Sequence, residues 1–286
     1  MTRQAAVAGS WYPADPRALH DAVTRVLARV SHGAQPGVVG LLAPHAGFVY
    51  SGEVAARAYG AAAAANGVPD AIVLVGPSHH VAFEGVAAWR DGAFETPLGP
   101  VEVATDLVDR LIARCPSVVE DRAPHVPEHS LEMHLPFIRH LFPGVPIVPL
   151  LMGAQTFATM GALAEGLSRT LSGRPVLLAA SSDLSHYFDA ATAEALDARV
   201  LEAIDDADAA PLRTLLAECP VEDRGRSVGC GAGPLVSVIE ACRFLGADDG
   251  QVLAYSHSGR VSGDNHAVVG YAAALFTRRV APAVGT

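Results

Sequence analysis

The chain has 286 residues, and 50% of them are hydrophobic, which is enough for a large core and excludes an intrinsically disordered protein. Thirty acidic and twenty basic residues give a formal net charge of −10 at pH 7, which argues against nucleic acid and anionic membrane surfaces as partners. The four cysteines are widely spaced without a CxxC pair, and the apolar run at the N-terminus is too short for a signal peptide. We therefore expect a cytoplasmic protein with reduced cysteines.

The pattern of apolar residues predicts helices and strands that alternate along most of the chain. Asp15 as N-cap and Pro16 at the first helical position predict the start of the first helix. Ser51 is the expected cap of the second helix, which should end near Asn66 and Gly67. Further helices are expected at 102–115, 130–141, 156–171, 190–207 and 234–245. Strands are expected at 38–42, 72–75, 86–89, 146–151, 175–180, 251–256 and 266–276, with an extended loop at 92–101.

This alternation predicts an α/β fold with a central, largely parallel or mixed β-sheet flanked by helices on both faces. The sequence contains no linker of domain-boundary quality and no internal repeat, so residues 1–286 are expected to form a single domain. The uncharged stretch 144–164 is interrupted by Pro146 and Pro149, which argues against a membrane-spanning helix there.

Histidine and aspartate side chains follow three of the predicted strands. His45, His79, His80, Asp183 and His186 all lie within a few residues of a strand end. An isolated histidine is more often structural than functional, but the ends of parallel strands share one edge of a sheet, and ligands bind at that edge. Imidazole and carboxylate together bind divalent metals such as iron or zinc. The pattern predicts a ligand or metal site at this edge.

Cys230 is the second candidate, because it sits in a Gly-Cys-Gly turn at the entrance of a predicted helix. The helix dipole and free N–H groups at such a position favour a thiolate, which can bind a metal or attack a substrate. The alternative is an inert small residue in a packed turn. Cys115, Cys219 and Cys242 lie in helices or at helix ends, and we expect them to be buried and structural.

The stretch 128–134, Glu-His-Ser-Leu-Glu-Met-His, is the other dense polar segment. It lacks the His-Glu-x-x-His pattern of zinc proteases. Ser130 as a helix cap and Glu132 near the helix start explain part of it without any function. The functional alternative is that Glu132 or His134 points into the predicted site.

With these residues assembled, the chain resembles the Memo family, whose bacterial and archaeal members are called AmmeMemoRadiSam system protein B. The matching motifs run in the family's order across nearly the whole chain. They are Ala-Gly-Ser-Trp-Tyr at 8–12, Ala-Pro-His-Ala-Gly at 43–47, Gly-Pro-Ser-His-His at 76–80, Glu-His-Ser-Leu-Glu-Met-His-Leu-Pro at 128–136, Ser-Ser-Asp at 181–183, and Cys230 followed by Gly-Ala-Gly-Pro.

The resemblance implies a fold similar to class III extradiol ring-cleaving dioxygenases, with a metal site derived from theirs. By this route His45, His79 and Cys230 are the expected ligands of a redox-active iron or copper ion, with zinc as a further candidate. Asp183 and His186 are the expected polar neighbours, which would orient water, oxygen or substrate. Asp183, His186 and Cys230 are thus the candidate catalytic residues. His80 has no assigned role.

The function implied by the resemblance is that of a non-haem metal-binding protein with a redox or oxygen-dependent role, which would make it a dioxygenase-like iron or copper oxidoreductase. Its expected partners are a radical-SAM protein, a third small protein of the same system and an unidentified small-molecule substrate. The related dioxygenases use a carboxylate as third ligand, whereas Cys230 offers a thiolate. That replacement argues against ring cleavage, since a thiolate donates more charge to the metal.

Two other functions are compatible with the residues. In the first, Cys230 is a nucleophile activated by His186 or His79, and the protein is a hydrolase or acyl transferase. In the second, the metal site is vestigial and the protein is a non-catalytic binding component beside a radical-SAM partner.

Overall fold

A large mixed β-sheet with helices packed against it forms the centre of the protein. The structure, a computed structural model, describes residues 1–30, 36–65, 67–205, 207–219 and 227–279. The strands are β1 (Thr2–Arg3), β2 (Val38–Ala43), β3 (Ala71–Pro77), β4 (Val86–Ala88), β5 (Ala93–Phe94), β6 (Val101–Glu102), β7 (Val118–Glu120), β8 (Ile147–Met152), β9 (Val176–Ser181), β10 (His186–Phe188), β11 (Asp249–His257) and β12 (Val268–Thr277).

The α-helices pack on this sheet in two groups, one formed by α1, α2 and α4 and the other by α3 and α5 to α8. Their bounds are α1 (Pro16–Ala28), α2 (Phe48–Ala65), α3 (Thr105–Arg114), α4 (Leu135–Leu141), α5 (Phe157–Leu171), α6 (Ala190–Asp205), α7 (Ala209–Glu218), α8 (Ala232–Phe244) and α9 (Gly259–Ser262), with a 3₁₀ turn at Glu132–His134. No helix within the described ranges is long and apolar enough to cross a membrane.

The strand order of the large sheet places three site-bearing strands side by side. The order is β10-β12-β2-β9-β3-β8-β4-β7, with β11 also paired to β12. Strands β2, β9, β3 and β8 are parallel, whereas β12 and β4 join this group in the antiparallel sense. The predicted α/β fold with a largely parallel or mixed sheet is therefore confirmed. Because β2, β9 and β3 are parallel neighbours, their carboxyl ends meet at one edge.

The four parallel strands are buried along their whole length, which explains why their sequences are almost continuous apolar runs. The predicted first helix is confirmed, with Asp15 accepting a hydrogen bond from the Ala18 amide and Pro16 in the first turn. Its amphipathic pattern buries Leu19 and Val23 completely. Apolar periodicity and capping residues thus determine most of the architecture around the sheet.

Several predicted boundaries are wrong where tertiary contacts override local signals. Helix α2 begins at Phe48, and the hydroxyl of Ser51, the predicted cap, instead donates to the Ala46 carbonyl from inside the helix. The predicted loop 92–101 contains β5 and the start of β6, and the next helix begins at Thr105 rather than at residue 102. Gly67 has the expected positive φ of 75°, whereas Asn66 lies outside the described residues.

A buried ion pair fixes the N-terminal segment to the body of the protein. Glu132 is fully buried and pairs with Arg3. The same carboxylate accepts hydrogen bonds from the amides of Ala6 (2.7 Å) and Val7 (3.0 Å) and from the Tyr12 hydroxyl (2.6 Å). The carboxylate of Glu132 is therefore committed to the N-terminal segment, which carries Trp11 to the sheet edge.

We expect Glu132→Ala to lower the free energy of unfolding by about 3–5 kcal/mol, because it leaves the Arg3 guanidinium buried without its carboxylate. Equilibrium urea denaturation measures this loss. The matched control is Glu165→Ala, which breaks an exposed pair with Arg169 and should cost less than about 1 kcal/mol. Similar small losses in both variants would contradict this role of Glu132.

Candidate metal site

Three strand ends deliver polar side chains to one cavity. His45 follows β2, His79 follows β3 and Asp183 follows β9, and all three line a cavity of about 720 Å³ at the carboxyl edge of the sheet. Cys230, from the turn before α8, lies in the same wall. The structure thus brings residues from four distant parts of the chain together. A volume of this size is typical of small-molecule sites.

Ser181 fixes the tautomer of His45, which is buried. The Ser181 hydroxyl donates its single proton to the Ser130 carbonyl at 2.7 Å, so it must accept the hydrogen bond from His45 Nδ1 at 2.6 Å. His45 therefore carries its proton on Nδ1 and keeps a lone pair on Nε2. Burial, assisted by His79 and His129 nearby, lowers the pKa of His45 well below its ordinary value, so the ring is neutral.

Glu128 plays the corresponding part for His79. Its carboxylate accepts from His79 Nδ1 at 2.9 Å and from the His79 amide at 2.5 Å, and also from the amides of His129 and Ser130, both at 2.9 Å. Burial by itself would raise the pKa of Glu128, but the hydrogen bond and charge of His79 lower it to about 2. An ionised carboxylate only accepts, so His79 donates from Nδ1, and Nε2 is the nitrogen left to bind a metal when the ring is neutral.

His129 is a further imidazole in the cavity wall, and the sequence analysis predicts no role for it. It stacks on His79 with ring centroids 4.6 Å apart and planes at 18°, and Trp11 packs on it at 4.3 Å. Ring nitrogens of His45, His79 and His129 all lie within 4.8 Å of one another. Burial lowers the pKa of His129 to about 4, so this ring, like that of His45, is neutral. The only sequence signal for it was its place in a dense polar stretch.

The sulfur of Cys230 contacts His45, with 3.2 Å between Sγ and Nε2. Desolvation, followed by the charge of Asp183, raises the pKa of the Cys230 thiol far above its usual range. The thiol is consequently protonated, and its hydrogen can point at the His45 lone pair. The sulfur thus contacts His45, whereas the group of three ligand atoms that lie within 4.8 Å of one another contains His129 in place of the sulfur.

Asp183 supports both His45 and Cys230 through the backbone. Its Oδ1 accepts from the amides of His45 at 2.8 Å and Ala46 at 3.2 Å, and its carbonyl accepts from the Cys230 amide at 3.2 Å. Burial raises the pKa of this carboxyl to about 7. His186, the other predicted catalytic residue, lines the cavity and donates from Nδ1 to the Leu184 carbonyl at 2.7 Å.

The other polar residues of interest lie outside the cavity wall. His80 is exposed, with its ring edge-on to His129 at 5.8 Å. His134 is buried and forms a hydrogen bond with the Tyr59 hydroxyl at 2.9 Å, and burial lowers its pKa to about 3. Of the residues weighed in the stretch 128–134, His134 is part of the core and Glu132 anchors the N-terminus.

A family model and full-length relatives of this chain point to the same protein family. The family model described as Memo-like protein matches residues 3–275. The MEMO1 family protein of Methanothermobacter thermautotrophicus is 36% identical over 286 residues, covering 95% of this chain and 99% of that protein. The corresponding protein of Methanopyrus kandleri is 35% identical, with coverages of 97% and 100%. A crystal structure of an uncharacterized protein from Escherichia coli K12 aligns with a TM-score of 0.46 and 17% identity over 71% of this chain and 86% of that one, a likeness too low to support any conclusion.

We expect the His45 ring of the metal-free protein to be neutral and protonated on Nδ1 at about pH 6.5, the ordinary pKa of histidine. Long-range ¹H–¹⁵N correlation spectra report the protonated nitrogen directly. Ser181→Ala removes the acceptor and should abolish the single tautomer, whereas Ser172→Ala, an exposed serine, should leave it unchanged. A doubly protonated His45, or an Nε2–H form in the wild type, would refute the assignment.

Proposed function

We propose that this chain, which belongs to the family of Memo-like proteins, binds a redox-active transition-metal ion, iron or copper, through His45, His79 and Cys230. One observation carries the proposal. His45 and His79 each donate Nδ1–H to a fixed oxygen acceptor, which leaves both Nε2 atoms to bind a cation, and the thiol of Cys230 already touches that of His45.

The donor set suits such an ion. Imidazole and thiolate are ligands for iron, copper and zinc, and the thiolate favours the softer ions among them. Histidines that bind metals donate their other ring N–H to a carboxylate or a similar oxygen, as His79 does to Glu128 and His45 does to Ser181. His129, stacked on His79, is the neighbouring imidazole that could complete the coordination.

The distances from His45 to each of the other two proposed ligands are compatible with a common ion. Ligand atoms about 2.0–2.3 Å from one metal lie about 3.3–3.7 Å apart in a tetrahedral site. The 3.2 Å contact between Cys230 Sγ and His45 Nε2 is close to that range, and the ring nitrogens of His45 and His79 lie within 4.8 Å. The sulfur and His79 do not share such a cluster among the described residues, so binding of a common ion would require one of these side chains to move toward the other.

Iron or copper held in this way would supply electron transfer or oxygen chemistry at the cavity wall. The protein's own residues would hold the ligands and the substrate. Asp183 anchors both the His45 loop and the Cys230 turn, and His186 faces the space of about 720 Å³ in which a small molecule would lie. Cys230 would release its proton on ligation, as metal-binding thiols do.

Metal binding is better supported than a cysteine hydrolase. The nucleophile hypothesis requires His79 or His186 as the base for Cys230. The sulfur instead contacts His45, with 3.2 Å between Sγ and Nε2. Desolvation also raises the pKa of the Cys230 thiol, the opposite of what activates a nucleophile.

We expect His45→Ala, His79→Ala and Cys230→Ala each to weaken binding of ferrous iron or cuprous copper by more than about 100-fold, because loss of a mere supporting residue already costs 10–100-fold. Anaerobic purification followed by metal analysis and competition with a chelator measures this change. His266→Ala is the control, since His266 is exposed and belongs to a turn. Wild-type metal occupancy in the three ligand variants would refute the ligand assignment.

A further inference from the structure

The turn that carries Cys230 leads into a helix, α8, whose N-terminus has no side-chain cap. The N-cap of α8 is Gly231, which has no side chain with which to bind the free amides of the first helical turn. The nearby residues Gly229 and Gly233 also have no side chain that could bind these amides. Some other part of the chain must therefore fix the position of the sulfur.

Gln155 supplies that support across 75 residues of sequence. Its Nε2 donates to the carbonyl of Cys230 itself at 2.7 Å, and its Oε1 accepts from the Gly233 amide, also at 2.7 Å. The side-chain amide of Gln155 thus links Cys230 to Gly233, the second residue of α8. The amide of Gly231 donates to Ser182 Oγ at 3.0 Å, beside the bond from the Cys230 amide to the Asp183 carbonyl.

Two glycines of the turn are explained by neighbouring atoms that lie too close to the backbone for a side chain. A Cβ at Gly233 would lie 2.8 Å from Gln155 Oε1, and a Cβ at Gly231 would lie 2.2 Å from the Ser181 carbonyl oxygen. Any side chain at Gly231 would push the turn away from β9. The Gly-Cys-Gly-Ala-Gly pattern is therefore explained by backbone that packs directly against the strand ends.

The backbone segment that carries Gln155 is itself held in place by hydrogen bonds. Gln155 follows β8, and the two residues before it, Gly153 and Ala154, donate their amides to the carbonyls of Gly85 at 3.0 Å and Phe83 at 2.8 Å. The next residue, Thr156, caps α5. The segment that carries Gln155 is held on both sides, so the Gln155 side chain can hold Cys230 in a defined position.

We infer that Gln155 is a positioning residue for the sulfur of Cys230, holding it against His45 so that a thiophilic ion meets a preformed pair of donors. This inference rests on the proposed function, because it assigns Gln155 a role in the same site. Only an amide of this length offers both a donor for the Cys230 carbonyl and an acceptor for the Gly233 amide.

Cobalt(II) titration of the full chain tests this role, because a cobalt–thiolate bond gives a near-ultraviolet charge-transfer band that imidazole ligands do not. We expect Gln155→Met, which loses both hydrogen bonds, to weaken cobalt binding by about 10–100-fold and to lower the band per bound ion. Gln155→Glu keeps the size and the acceptor but cannot donate to Cys230. Its added negative charge favours a cation, so a weaker band in this variant reports misplacement of the sulfur.

The matched control is Gln4→Met, an exposed glutamine, which should leave the affinity and the band unchanged. If the Gln155 variants fail to fold by circular dichroism, Gly233→Ala displaces the amide of Gln155 instead and should weaken the band in the same way. An unchanged band in the folded variants would overturn the role of Gln155. A wild-type protein without a band that depends on Cys230 would overturn the proposed function, which separates the two failures.

Discussion

The site depends on one constraint, that polar side chains buried at the sheet edge must find fixed hydrogen-bond partners. Ser130 shows how this constraint joins the strands, because its hydroxyl donates to the Pro77 carbonyl and its own carbonyl accepts from Ser181. Ser181 then accepts from His45, and the carboxylate of Glu128 accepts from His79. Each acceptor orients one histidine ring, so the ends of β2, β3 and β9 and the loop before α4 form one hydrogen-bonded unit.

That unit also explains why distant segments matter to the site. The N-terminal segment, which the buried carboxylate of Glu132 holds in place, brings Trp11 onto the ring of His129. The end of β8 brings Gln155 onto the Cys230 turn. Neither Trp11 nor Gln155 is one of the proposed metal ligands. The geometry of the donors is therefore a property of the folded chain rather than of the histidines and the cysteine alone.

Local sequence chemistry predicts part of the candidate site. A buried strand that ends in proline and histidine marks His45 and His79, and a glycine-rich helix entrance marks Cys230. The supporting residues carry no such mark. His129 reaches the cluster only because its loop packs under β3, and Gln155 binds a turn 75 residues away. The short strands β1, β5 and β6 and the early start of α2 were missed for the same reason, since tertiary pairing rather than periodicity creates them.

The central claim is that one ion is shared by the side chains of His45, His79 and Cys230. X-ray absorption spectroscopy of the zinc-loaded protein tests it most directly, zinc serving as a redox-inert substitute. The account predicts one sulfur at about 2.3 Å and two or more imidazole nitrogens at about 2.0–2.1 Å, with the sulfur lost in Cys230→Ala. A first shell of nitrogen and oxygen alone, unchanged in Cys230→Ala, would contradict it.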